Sequence, residues 1–470
     1  MNPSRAAVLA AMLAALPWAA AQADAERLEA DLRARFAAAP GELTIGELSD
    51  GLLGGDATAE NLSFVEDDGS RVRVARYVVE GDYDAPDAVV MEGVRLEGGG
   101  REAGMFSVER LRLEKPSGPL PWPEGRWNGA DLDAEALTAE GLRLELESAP
   151  VTSADGKKVL GGQASPHGWL TIERLQASEL SPQAIGHLEA NGIAGHGEGL
   201  DEMGVADLTL ASLELDGMRR LADDGEGPSL DGLRLEALSI ESDRLVADLE
   251  SLSVDGNLRD GEGGARFEAL DLDLTRMIER APAAQRTQLR LASNVLTGGS
   301  GQLRLDGEFD GGWEALGRKS LLTGEGMVTA DDAFRWRFDT ELPVRLPEGV
   351  DPQAYLSTMT DPSDMTLLGG RIETTLSELG LFARLPAVMA ASRGIGEAEA
   401  LEQARTQAKG FGTMLGPRVG RLLNGLVDMM EGQASELTVR LTLPAASDAR
   451  TLTADPLGLP SKLSMEVETR

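Results

Sequence analysis

The chain has three histidines, His167, His187 and His196, and the last two flank Glu189 nine residues apart. Imidazole and carboxylate together make a ligand set for zinc when the side chains converge. The Gly-bearing stretch between them reads as a loop, so solvated histidines are expected and no metal ligand is assigned. Four acidic clusters, Asp67-Asp68, Asp131 with Asp133, Asp223-Asp224 and Asp331-Asp332, present carboxylate oxygens of the kind calcium takes. None has EF-hand spacing or the order of a glycine-rich calcium repeat, so they read as solvated turns. Gly98-Gly99-Gly100 and Gly298-Gly299 lack the Lys-Ser/Thr context of a phosphate loop, and a Gly-x-Ser-x-Gly elbow is absent. With 79 acids, carboxylate pairs for glycosidase chemistry can be chosen at will and carry no weight. No catalytic residue and no cofactor is assigned, the ligand-binding residues stay unknown, and the expectation is a protein that is not an enzyme. A hydrolase is the remote alternative, to be revived by a pocket that sets one of the histidines beside carboxylates.

Charge narrows the partners. The 470 residues include 44 Lys and Arg against 79 Asp and Glu, a formal net charge of −35. Phosphate backbones need a basic surface, so nucleic acid is excluded as a partner class. Such acidity keeps an exported protein soluble and suits a saline habitat. There is no cysteine, hence no disulfide framework and no acylated-cysteine anchor.

Residues 1–23 read as a signal peptide. Arg5 precedes an apolar run of eleven residues, Ala6 to Leu16, and Pro17 breaks it far short of the roughly 20 residues that span a bilayer. Ala21 and Ala23 are the small residues a signal peptidase reads, placing the cut near Ala23 and leaving a mature chain without a transmembrane anchor, periplasmic or secreted.

The elements that would position any site come from a recurring pattern in which apolar residues alternate once, skip two polar positions, then alternate again. Val72, Val74, Tyr77 and Val79 are followed by Val89, Met91, Val94 and Leu96, then by Phe106, Val108, Leu111 and Leu113, with starts 17 residues apart. The pattern returns at Leu137, Leu170, Leu208 and Leu233, and loosely at Leu249 and Phe267. Alternation puts one set of side chains on one sheet face. The double step would flip that set unless a β-bulge restores it. Bulged strands are therefore expected, with a solenoid corner as the competing explanation.

The predicted fold is mainly β: an elongated or curved antiparallel sheet of repeated bulged strands with a C-terminal helical insertion. Leu28, Leu32 and Phe36 predict an amphipathic helix within residues 24–40. A repetitive β-rich region follows over 41–347, with a proline-rich connection from Lys115 to Trp127. Residues 348–470 form an α+β region, with helices about 377–431 and closing strands at Leu437 to Leu443 and Leu463 to Val467. Met389, Met414, Met429 and Met430 in those helices are core residues or an adaptable lid.

Nine strands offer an apolar face of roughly 1,100 Å², whereas three 15-residue helices cover about 660 Å². The remainder must pack on itself or hold an apolar ligand. The stretch Gly41, Leu43, Ile45, Gly46, Glu47, Leu48, Gly51, Leu53, Gly54, then Asn61, Leu62, Ser63 and Phe64, resembles the opening of AsmA-like and YdgA-like bacterial envelope proteins. Strand series such as Leu233-Arg234-Leu235 extend the likeness. For AsmA-like members the resemblance implies a curved β groove with an apolar interior, associated with phospholipid traffic or outer-membrane homeostasis. Those families usually keep an amino-terminal anchor, from which the cleavage site at Ala23 departs. The expectation is an exported non-enzymatic envelope protein binding or carrying lipid or acyl chains, and the alternative is a self-packed scaffold that recruits envelope proteins.

Overall fold

The structure is a computed structural model that describes residues 24–37, 40–51, 55–98, 104–121, 133–146, 167–200, 204–219, 230–256, 261–316, 319–346, 365–445, 447–448 and 463–470. Residues 1–23, expected to be a signal peptide, and Asp131, Asp223, Asp224, Gly99 and Gly100 lie outside the described residues. The chain is mainly β and antiparallel, and it divides into two compact units, one ending at Ser242 and the other beginning at Asp243.

In the first unit a helix over residues 24–36, α1, precedes eleven strands among the described residues. The short β1 (Gly41–Thr44) and β2 (Glu47–Asp50) both pair with β3 (Asp56–Glu66). From there the chain meanders through β4 (Arg71–Asp82), β5 (Ala85–Glu97), β6 (Gly104–Glu114), β7 (Ala134–Leu146), β8 (His167–Ser181), β9 (Ala184–Leu200), β10 (Gly204–Arg219) and β11 (Gly232–Ser242). Each strand pairs antiparallel with the next.

The double steps are bulges inside continuous strands, and they line up in a row. Asn61, Gly93, Gly141, Gly192 and Ala237, on β3, β5, β7, β9 and β11, hold φ between 52° and 63°. The residues opposite them, Ala75, Glu109, Glu173 and Ala211, do not. Because neighbouring strands each carry the extra residue, the pairs on either side keep one register, as Glu60 with Arg76 and Leu62 with Val74 show. Each strand thereby returns its apolar set to the same face without slipping past its neighbour. A second row lies six residues along, at Gly81, Lys115, Glu179 and Gly217, where the left-handed residue falls on β4, β8 and β10 and just past the end of β6.

The face so formed closes into a core at the amino-terminal end. Leu28 and Leu32 of α1 are buried against Ala59, Tyr77, Val79, Val89 and Met91, with Phe36 against Phe64 at 4.7 Å between ring centroids. Polar contacts fix the helix: Ala25 N donates to Asp50 Oδ1 at 2.9 Å, and Tyr83 Oη donates to Asp31 Oδ2 at 2.8 Å. The described part of the proline-rich connection, residues 115–121, is tied in by hydrogen bonds. Pro119 O accepts from the buried Tyr77 hydroxyl, and Leu120 O accepts from Arg35 at 3.0 Å.

The second unit orders its strands β12 (Val246–Asp255), β13 (Glu262–Asp273), β14 (Gln302–Leu316), β15 (Lys319–Ala330), β16 (Phe334–Arg345), β18 (Gly370–Glu378), β19 (Glu436–Leu443) and β21 (Ser464–Thr469). The two-residue strands β17 (Thr366–Leu367) and β20 (Ser447–Asp448) pair with each other, and β17 also pairs with β16. Here the bulges stop. β13 still carries one, with Ala269 at φ 53°, but β14 alternates strictly through Leu303, Leu305, Gly307 and Phe309. The register therefore shifts once between Phe267 and Leu270, and Asp306 Oδ1 accepts the Ala269 amide at 2.9 Å.

Two helices that the strand pattern did not anticipate, α2 (Leu274–Arg280) and α3 (Ala283–Thr297), interrupt this unit. Their signals are local: Asp273 accepts from Arg276 N as an N-cap, Pro282 precedes α3, and Gly298 ends it at φ 63°. The expected C-terminal helices are α4 (Leu381–Arg393), α5 (Glu397–Leu415) and α6 (Pro417–Met430). They cover the last strands, with Phe382 and Met429 packed on Leu437 and Val439. Among the described residues no helix is long and apolar enough to cross a membrane.

Candidate ligand-binding face

Strands β8 to β11 continue the apolar face, and among the described residues no helix covers it there. Ala190, Ile193 and Leu210 form a small buried cluster, ringed by half-buried Ile172, Leu175, Leu188, Leu208, Leu213, Leu235 and Leu238. All of these come from β8 to β11, so the cluster is made by one sheet face alone. The cross-strand register sets them in columns, with Ile172 opposite Ile193 and Leu210 on Ile193's other side. Leu170, at the margin, is 36% exposed. Each side chain left half in water retains part of its transfer free energy, on the order of 1 kcal/mol, for whatever apolar group covers it.

The polar side of the sheet is spanned by cross-strand ion pairs, including Arg112 with Glu80 at 2.9 Å and Arg174 with Glu140 at 3.6 Å. These exposed pairs favour the register but contribute little to stability. Along the first bulge row a hollow of about 360 Å³ crosses β5 to β8, lined by Gly93, Val94, Val108, Gly141, Leu142 and Ile172 among others. That is at the small end of ligand pockets. In the second unit, Phe267, Phe309, Phe338 and Trp336 make an aromatic row with centroid spacings of 6.5, 6.2 and 5.2 Å. Gly307 and Gly326 lie beneath these rings, since a Cβ on either would strike them.

The histidines are not where a loop would leave them. The segment from Ala184 to Leu200 is the longest strand, β9, which corrects the loop reading of His187 to His196. Its apolar positions, Ile185, Leu188, Ala190 and Ile193, obey the double-step rule, but alanine and glycine dilute the signal. His187 Nδ1 lies 2.7 Å from Asp216 and stands apart from the other two. Glu198 joins the remaining pair, 3.0 Å from His167 Nε2 and 3.4 Å from His196 Nε2. His196 Nδ1 is also 2.7 Å from Asp207. Asp207 first, then Glu198, raise the His196 pKa above its ordinary value. The carboxylates take up both His196 nitrogens, and the side chains are open to solvent at the strand ends, where no substrate would be shielded from water. Among the described residues no group of three or more His, Asp or Glu is arranged to hold a metal ion.

The acidic clusters that are described sit in turns. Asp68 accepts from Ser70 N at 2.8 Å, which lowers its carboxyl pKa. Asp332 holds φ 56° in the turn from β15 to β16, and its carbonyl accepts from Arg384. Gly298 and Gly299 terminate α3. Of the helical methionines, Met429 is fully buried core, while Met414 is 79% exposed at the far end of α5. No protein-family profile matches the chain, and no curated protein matches it.

Proposed function

We propose that this chain is an exported, non-enzymatic envelope protein that holds a lipid or acyl chain against the leucine face of β8 to β11. The observation that carries the reading is the cluster around Ile193 and Leu210, apolar, continuous across four strands and without a covering helix among the described residues. Contiguous apolar faces left in water ordinarily find a partner. Kinship with AsmA-like and YdgA-like proteins is part of the proposal and rests on the segment from Gly41 to Phe64, which supplies β1, β2 and β3. Export rests on residues 1–23 and is tested by sequencing the amino terminus of protein recovered from the periplasm; a start at Asp24 supports it, and retention of Met1 opposes it.

Binding is tested with a fluorescent fatty-acid probe. The full chain is expected to enhance its emission saturably, and Leu210→Asp to abolish the enhancement while the far-ultraviolet circular dichroism is unchanged. Equal enhancement by both proteins would remove the face from the account. The scaffold reading draws on the closed core under α1, where Tyr77, Leu28 and Val89 leave no room for a ligand. It gains if the probe does not bind and envelope proteins co-purify with the chain.

A further inference from the structure

In a chain with 79 acids, the stretch from Gln403 to Val427 contains none, yet it carries Arg405, Lys409, Arg418 and Arg421. It forms the distal part of the hairpin of α5 and α6. Gly412 and Gly420 bring the two helices into backbone contact there, a Cβ on Gly412 falling 2.7 Å from Gly420 Cα. Next to that contact and beyond it, the end of the hairpin exposes large apolar side chains: Phe411 at 50%, Met414 at 79% and Leu415 at 38%. Core packing does not use them. Among the described residues Lys409 and Arg421 form no ion pair, while Arg405 faces away from the tip, paired with Asp428 at 2.8 Å and Glu431 at 2.6 Å.

We propose that this tip docks on an anionic phospholipid bilayer, Phe411, Met414 and Leu415 entering the interface and Lys409 and Arg421 meeting the lipid phosphates. Apolar residues flanked by cations are what an interfacial contact requires. The chain's overall negative charge does not forbid it. Glu402 is twelve residues from Met414, about 18 Å along α5, and Asp428 is as remote along α6. The Debye length in physiological salt is about 8 Å, so the hairpin's carboxylates are screened from a surface touched by the tip.

The test is flotation of the full chain with vesicles of phosphatidylcholine alone or with phosphatidylglycerol. Flotation is expected with the anionic vesicles and not the neutral ones. The variant Phe411→Ser with Met414→Ser should lose about tenfold or more in partition, and Lys409→Gln with Arg421→Gln about tenfold with a flatter salt dependence. Because the chain lacks cysteine, Met414→Cys can carry one environment-sensitive dye, whose emission should shift to the blue on anionic vesicles alone. Absence of flotation, or equal flotation of all variants, would overturn the proposal. So would sedimentation showing a dimer that the serine variant abolishes without any vesicle binding, since the occupant would then be a second copy. Flotation does not require the leucine face: Leu210→Asp should float as the unchanged chain does, so failure of ligand binding and failure of docking are separable.

Discussion

Gly93 on β5 faces Ala75 on β4 so closely that a Cβ on the glycine would lie 2.9 Å from the Ala75 Cβ. Gly93 also holds φ at 63°. Both facts oppose a side chain here: the left-handed conformation costs an L-residue roughly 1–2 kcal/mol, and the contact requires one strand to shift. Gly93→Val should therefore destabilise the protein by about 3 kcal/mol, measured as a fall in urea midpoint at constant slope. A glycine outside the bulge rows, Gly118, has open space around it, and Gly118→Ala should change stability by less than about 0.5 kcal/mol.

At the end of the bulged strands, Asp306 accepts the amide of Ala269, a residue that is 4% exposed. Asp306→Ala leaves that donor without its carboxylate, and a stability loss of about 1–3 kcal/mol is expected. Hydrogen exchange at the Ala269 amide provides a local reading and should accelerate in the variant.

Removing the α1 anchor should cost more. Leu32 is 1% exposed in the core of the first unit, and Leu32→Ala is expected to lower stability by about 2–5 kcal/mol. Tyr77→Phe keeps the ring but takes away the donor to Pro119 O, for about 1–2 kcal/mol. Calorimetry on both variants checks the order, Leu32→Ala below Tyr77→Phe.

The histidine cluster gives a pH prediction with a definite sign. Asp207 and Glu198 raise the folded-state pKa of His196, so folding favours the imidazolium. The stabilisation is complete below the unfolded value of about 6.5 and is lost as pH rises through the higher folded value. A nuclear magnetic resonance titration of the ring should place its midpoint above 6.5, and Asp207→Asn should move it down. A midpoint unaffected by Asp207→Asn would show that the 2.7 Å contact does not persist in solution.

Much of the strand architecture is legible from residue spacing, because the double step in Val72, Val74, Tyr77 and Val79 reports the bulge directly. Three things are not. β9 hides because Ala190 and Gly195 stand where leucines mark the other strands. The helices α2 and α3 hide because Asp273, Pro282 and Gly298 act through capping, which a search for apolar alternation does not weigh. The alternation of left-handed residues between odd and even strands is a relation across strands, and no single segment carries it. The candidate face itself was half legible: the leucines of β8, β10 and β11 mark it, but only the fold shows that α1 covers the amino-terminal strands and that α4 to α6 cover the last ones.

The central claim is that the face of β8 to β11 holds an apolar ligand, and extraction of the purified full chain is its most direct test. Organic extraction followed by quantitative mass spectrometry should yield lipid or fatty acid approaching one molecule per chain, and markedly less from Leu210→Asp. Protein purified from several expression conditions that yields no stoichiometric lipid would contradict the account.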